Sequence, residues 1–349
     1  VKTNKQTSAL LIDGEYGFLA ATVVRCLAAC KKVRINVLSS RPGATLRFSR
    51  HVDKFLTYAS GSLEAEVRKA VRETGSEILL ACSGKGTEFL IRHGADIPNT
   101  QLMHLPSLPA FQTANDKWSF HLAARSCDAG TPRTWPVGDF IPQPEMFPLL
   151  LKPSDQESGK GIVRLDSLQE FASYMRLLDA EPSNYIVQEF VRGGDMGCSV
   201  FCQQGHILAV TVQRPIEHQN HGFVPAANLR FCRHEGAVAE VSKVVKHLNW
   251  TGVANFDLRI RASDGKVMLL EMNPRFWASI YGSLRAGVNF VSLNCWLSEA
   301  DQHEASKVRE LDYFQGYKAL GRWLRGSASD FGCRLFDPLP DLVRLSLRQ

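Results

Sequence analysis

The sequence predicts an α/β and α+β protein: a doubly wound α/β part at the N-terminus, then a larger part built from hairpins and helices. Two observations carry this. Over the first hundred residues short apolar runs alternate with helical stretches, the pattern of successive β-α-β units. Further on, strand-like runs are joined by turn residues, at Gln204-Gly205 and at Ser263-Asp264-Gly265, which marks hairpins.

The elements follow in order. Residues 9–13 form a strand, Gly14-Glu15-Tyr16-Gly17 a loop, 19–29 a helix and 34–38 a second strand. The loop has two glycines rather than the three of a dinucleotide fingerprint, and no acid closes the second strand, so no NAD site is expected. A helix over 63–74 and a strand over 77–81 continue the alternation. Ser83-Gly84-Lys85-Gly86-Thr87 resembles a phosphate loop, but position 79, where the spacing needs glycine, is leucine. The stretch therefore reads as a strand-to-helix loop. Two prolines within 105–110 mark a boundary.

Asp116-Lys117 then opens a helix to about residue 127. A strand over 147–152 ends in Lys152, a polar loop fills 154–161, and a helix covers 168–178. A strand over 185–191 carries Glu189. Residues 196–203 and 207–213 pair as a hairpin, and a helix over 235–248 leads to the last one. This gives an N-terminal domain over 1–110 and a second domain over 111–299, with halves of about 111–190 and 191–299. A helical extension over 300–349 is expected, because 313–324 carries aromatic and leucine residues at helical spacing.

Composition narrows the function classes. The chain has 349 residues, 44% apolar and 22% charged, which suits two or three globular cores. No run approaches the ~20 apolar residues of a membrane span, and the start has no signal-like apolar segment. The net charge of +6 is spread along the chain; it favours anionic ligands without forming the dense patch of a nucleic-acid binder. Neither nucleic acid nor membrane is an expected partner. Nine cysteines without a CxxC pair point to buried thiols in the cytoplasm.

The chemistry concentrates in V-A-N-F-D-L-R-I-R-A-S-D-G-K-V-M-L-L-E-M-N-P-R, residues 253–275. With the turn centred on Asp264, Asp257 lies opposite Glu271, and Asn273 shares its face. Two facing carboxylates repel, so a hard divalent cation is expected between them, magnesium or manganese, bridging to phosphate. Arg275 adds a guanidinium suited to an anionic phosphoryl group.

Four motifs in this order resemble the ATP-grasp superfamily: Asp116-Lys117 before a helix; F-P-L-L-L-K-P with the later G-K-G-I; V-Q-E-F-V-R-G-G-D; and F-D-L-R-I with L-L-E-M-N-P-R. The likeness covers about 9–297. The N-terminal part resembles the pre-ATP-grasp domain of carbamoyl-phosphate-synthase-like members, and Asp257 matches the aspartate of D-alanine–D-alanine-ligase-like ones. The resemblance implies ATP held between two α+β subdomains. Lys117 and Lys152 would neutralise its phosphates, and Ser158, Gly159 and Gly161 would belong to the loop covering them. Glu189, Phe190 and Val191 would meet the adenine edge and Asp195 the ribose. Asp257, Glu271 and Asn273 would hold Mg2+, and Arg275 with Lys152 would serve the phosphoryl transfer.

The implied activity is an ADP-forming carboxylate–amine ligase working through an acyl phosphate, with a thiol as the less favoured nucleophile. Small-molecule carboxylate and amine substrates, and a homodimer, complete the expectation. A bicarbonate-activating enzyme that needs partner proteins and a non-catalytic nucleotide-binding module stand as alternatives. Arg214 and Arg230 flank a loop where they can hold a substrate carboxylate. His218 and His221 read as part of a solvated loop.

Overall fold

The computed structural model describes residues 6–14, 17–30, 32–58, 61–154, 159, 161–178, 184–216, 226, 228–295 and 308–314. The chain begins with β1 (Thr7–Ile12), α1 (Gly17–Ala28), β2 (Val33–Ser39), β3 (Val52–Thr57), α2 (Leu63–Thr74), β4 (Ile78–Ala81), α3 (Gly84–His93) and β5 (Gln101–Leu102). The strands form a parallel sheet in the order β3-β2-β1-β4-β5. Parallel strands are covered on both faces and read as unbroken apolar runs. Ala9, Leu10, Leu11 and Ile12 are accordingly all fully buried. The stretch that imitates a phosphate loop is a helix start: Ser83 Oγ caps α3 by accepting from the Gly86 N–H at 3.1 Å.

The chain continues through α4 (Leu108–Asn115), α5 (Lys117–Ser126), β6 (Thr134–Pro136), β7 (Leu149–Pro153), β8 (Val163–Leu165), α6 (Leu168–Leu177) and β9 (Tyr185–Glu189). These strands make an antiparallel sheet, β6-β9-β7-β8. Asp116 Oδ1 accepts from the Ser119 N–H at 2.7 Å and starts α5.

The remainder comprises β10 (Gly193–Gln203), β11 (His206–Pro215), β12 (Asn228–Cys232), α7 (Glu235–His247), β13 (Gly252–Arg261), β14 (Val267–Asn273), α8 (Ile280–Arg285), α9 (Phe290–Asn294) and β15 (Leu311–Phe314). Its sheet runs β14-β13-β10-β11-β12-β15. One face carries Cys198, Val200, Ala254, Phe256 and Leu258 and packs with Trp250 and the α7 valines Val241, Val244 and Val245. Phe256 also meets Phe120 of α5, ring centres 6.2 Å apart. Truncating so buried a ring to alanine costs about 3–5 kcal/mol.

The opposite face changes character along each strand. Phe201, Ala209 and Val253 join the core of the N-terminal sheet, together with Phe276 and Trp277. Two residues further along the same face come Ser199, Thr211 and Asn255, all buried and polar. Strand alternation thus carries one face from an apolar junction into a polar site.

The expected helical extension is corrected where the chain is described. Residues Leu311–Phe314 are a strand, β15, paired antiparallel with β12. Tyr313 is buried and meets Phe231 edge-on at 6.3 Å. Here a period-two fit to an open sheet edge overrides the helical spacing. The rest of the expected extension lies outside the described residues.

Candidate active site

The site is built on the β13–β14 hairpin. Near the turn, Ile260 pairs with Val267, Arg259 with Met268 and Leu258 with Leu269. The register then shifts, and Asp257 pairs with Glu271, Phe256 with Met272 and Asn255 with Asn273. Leu270 is the extra residue of a β-bulge. A turn centred on Asp264 therefore describes only the pairs beyond the bulge, and the bulge is what sets Asp257 opposite Glu271.

Asn273 Nδ2 donates to Asp257 Oδ2 at 3.3 Å and to Glu271 Oε1 at 3.4 Å. Asn255 Nδ2 donates to Asp257 Oδ1 at 3.2 Å. Burial pushes the Asp257 carboxyl well above the usual carboxylate range, and the Glu271 charge beside it adds to the shift. Burial also opposes charge on Glu271, but Lys117, the hydrogen bond with Asp257 and Lys152 outweigh it and hold Glu271 below its ordinary value.

Two lysines reach this cluster from the other sheet and its flanking helix. Lys117, in the first turn of α5, is buried and sits 3.9 Å from Glu271 Oε2. Its backbone N–H donates to Ser154 O at 3.2 Å, tying α5 to the end of β7. Lys152 is also buried, and its Nζ donates to Gln188 Oε1 at 2.7 Å. Burial lowers its pKa to about 8; Glu271 works against that fall and Lys117 adds to it. Arg275 donates to Asn273 Oδ1 at 3.2 Å and to Phe276 O at 3.0 Å.

A second group surrounds Phe190. Arg164 and Arg259 place guanidinium carbons 4.6 and 5.5 Å from its ring centre. Arg259 also donates to Asp195 Oδ1 at 2.7 Å and to Val191 O at 3.0 Å. The Glu189 carboxylate accepts from Arg133 Nε at 3.2 Å, and the Glu189 N–H donates to Arg133 O. Gly159 and Gly161 both have left-handed backbone, φ 72° and 71°, a conformation glycine adopts without strain. Ser158, His218 and His221 lie outside the described residues.

Arg214 and Arg230 face each other across β11 and β12. Arg230 already holds Asp312 through two hydrogen bonds of 2.6 and 2.8 Å. In this structure that forked pair occupies the guanidinium edge that a substrate carboxylate would need. Arg214 is exposed. Sequence reasoning missed Gln188 and Arg259. Gln188 was detectable as the one polar residue inside the apolar run of β9; the contacts of Arg259 needed the fold.

The cluster offers two carboxylates and an amide within one face. With the Asn273 amide oxygen turned inward, the set fits a hard cation that shares its shell with phosphate, magnesium before any soft metal. Among the described residues no group of three or more His, Cys, Asp or Glu is assembled for a metal, and no helix is long and apolar enough to cross a membrane.

Comparison with known proteins agrees with this layout. Residues 114–279 match the family model described as an ATP-grasp domain. The carbamoyl phosphate synthase large chain of Thermoanaerobacter sp. (strain X514) is 23% identical over 248 residues, which are 66% of this chain and 22% of that protein. The chain spans less than half the length of the curated relatives it matches. The L-amino acid ligase from Bacillus licheniformis superposes with a TM-score of 0.63 at 16% identity, over 88% of this chain and 76% of that one. The biotin carboxylase domain of the Hydrogenobacter thermophilus 2-oxoglutarate carboxylase, solved with MgADP, ADP and bicarbonate, gives 0.63 at 14% identity over 86% and 70%. The chain carries an ATP-grasp domain over residues 114–279.

Proposed function

We propose that this chain is an ATP-dependent ligase that activates a carboxylate as an acyl phosphate and passes it to an amine. One observation carries the reading: Lys117 and Lys152, from one sheet and its helix, share a single electrostatic site with Asp257, Glu271 and Asn273 of the other. Such a site suits a triphosphate with its cation. Asp257, Glu271 and Asn273 would hold Mg2+, which when bound draws charge from the phosphates.

Lys117 and Lys152 neutralise the phosphate oxygens. Arg275 steadies the phosphoryl group as it moves. The substrate carboxylate oxygen bonds to the γ-phosphorus while the bond to ADP breaks. The amine nitrogen then bonds to the acyl carbon, phosphate leaves with one former carboxylate oxygen, and the amine loses a proton. Water has to be kept from the acyl phosphate. Phe190, near both Arg164 and Arg259, is read with Glu189 and Val191 as the adenine side and Asp195 as the ribose side. The N-terminal parallel sheet is read as the pre-ATP-grasp domain. The eight described cysteines are all free thiols, in keeping with a cytoplasmic setting.

The test is ADP release over paired carboxylates and amines, repeated with an ¹⁸O-labelled carboxylate for the active pair. Label in inorganic phosphate with ADP as co-product is expected. AMP, or unlabelled phosphate during ligation, overturns the reading. Bicarbonate as the carboxylate is a second reading, favoured by the carbamoyl phosphate synthase and biotin carboxylase similarities; it predicts ADP release that depends on bicarbonate alone.

A further inference from the structure

Beside the metal cluster the polar face continues into three buried side chains that the proposed chemistry leaves unused. Ser199 Oγ donates to Asn255 Oδ1 at 2.9 Å. Gln213 Nε2 donates to Ser199 Oγ and to Asn255 Oδ1, both at 3.4 Å. Asn255 Nδ2 donates onward to Asp257 Oδ1 at 3.2 Å. Every donor in this chain points the same way, from Gln213 towards Asp257.

The direction is set by chemistry. With two donors on its oxygen, the Asn255 amide can only present its NH2 to Asp257. Gln213 Oε1 is buried without a hydrogen-bond partner, a defect worth about 1–3 kcal/mol. Such an orphan is tolerable where the other end of the amide is required. Gly197 makes room for it: it stands opposite both Gln213 and Asp257. A Cβ there would lie 2.5 Å from Gln213 Nε2 and 3.2 Å from its Cδ.

We propose that Gln213, Ser199 and Asn255 are positioning residues which pin Asp257 Oδ1, so that Asp257 meets a divalent cation through Oδ2 alone, beside Glu271. The inference rests on the metal reading of the Asp257–Glu271–Asn273 cluster. It makes cation affinity and cation choice depend on a glycine and a glutamine that touch no phosphate. With Oδ1 released, Asp257 can take a cation through both oxygens, a mode that suits larger ions such as calcium more than magnesium.

The experiment measures Mn2+ binding by electron paramagnetic resonance, with a non-hydrolysable ATP analogue, and competition by Mg2+ and Ca2+. The proteins are the full chain and its Gly197→Ala, Gln213→Met and Asn255→Ala variants, each checked for folding by circular dichroism. The expected result is Mn2+ affinity weakened by about 10- to 100-fold, with Ca2+ gaining on Mg2+ as competitor. Nucleotide affinity in the absence of metal stays unchanged. Gly197→Ala and Gln213→Met should act alike, because the first displaces and the second removes the same donor. Wild-type Mn2+ affinity in folded Gly197→Ala and Gln213→Met overturns the relay while leaving the metal site standing. No Mn2+ binding by the wild-type chain overturns the metal reading itself.

Discussion

Arg275 Nη2 donates to Asn273 Oδ1 across 3.2 Å, and the same amide turns its Nδ2 to Asp257 and Glu271. A guanidinium only donates, so Asn273 turns its oxygen to Arg275 and its Nδ2 to the two carboxyl groups. A cation between the carboxylates needs the amide oxygen instead. On the proposed metal reading Asn273 would turn its amide over, and Arg275 would lose that acceptor while keeping its hydrogen bond to Phe276 O. Arg275→Ala removes the clamp. Mn2+ should bind the variant at least as tightly as the wild type, while turnover falls by about 10²- to 10³-fold. Paired titration and steady-state rates check this, and weaker Mn2+ binding would contradict the coupling.

Lys152 predicts a pH dependence. Its pKa in the folded chain, about 8, lies below the ordinary 10.5, so the folded state holds this proton less tightly than the unfolded one. The penalty, about 3 kcal/mol, is full below pH 8 and fades as pH rises toward 10.5. Lys152→Met removes it. The variant's stability relative to wild type should therefore be more favourable at pH 7 than at pH 9.5, measured by urea unfolding at both values. Comparing the two pH values cancels the loss of the Gln188 hydrogen bond. In the wild type, kcat/KM for ATP should fall as pH passes about 8, because on the proposed reading the lysine then loses the charge that would face phosphate.

Much of this arrangement is legible in the sequence, and the gaps have physical causes. A hairpin that brings Asp257 near Glu271 follows from strict alternation and turn chemistry. The bulge that sets them directly opposite does not, because Leu270 is neither glycine nor another mark of an irregular register. Lys152 and Glu189 can be placed at strand ends from the apolar runs that precede them. Their partners Gln188 and Arg133 depend on which strands become neighbours, and local pattern does not encode that. At Leu311–Phe314 the helical spacing misleads, because four residues satisfy either period and the unpaired edge of β12 decides between them.

Glu271→Gln separates charge from shape. It removes the like charge that helps hold the Asp257 proton and the counter-charge of Lys117. The fold should survive, because Glu271 keeps 21% side-chain exposure and glutamine fills the same space. Magnesium-dependent turnover should be lost, by about 10²-fold or more, and more magnesium should not restore it. Full recovery at high magnesium would mean that Asp257 and Asn273 suffice, and that Glu271 serves Lys117 alone.

Arg214 and Arg230 give the sharpest contrast. Both stand on neighbouring strands of the same sheet, directly opposite each other, and composition alone cannot rank them. Arg230 is committed to Asp312 of β15, its register partner, by a forked pair. Substituting it should loosen the attachment of β15 and leave the KM for a carboxylate-bearing substrate unchanged. If this strand end forms part of the substrate site, Arg214 is the residue left to meet an anion. Losing a charged hydrogen bond of that kind removes about 1.5–3 kcal/mol, so Arg214→Ala should raise that KM about tenfold or more with little change in kcat. Steady-state kinetics of both variants against the active substrate pair decides it. A raised KM in Arg230→Ala with Arg214→Ala silent would mean that the Asp312 pairing opens when substrate arrives, and would return Arg230 to the substrate site.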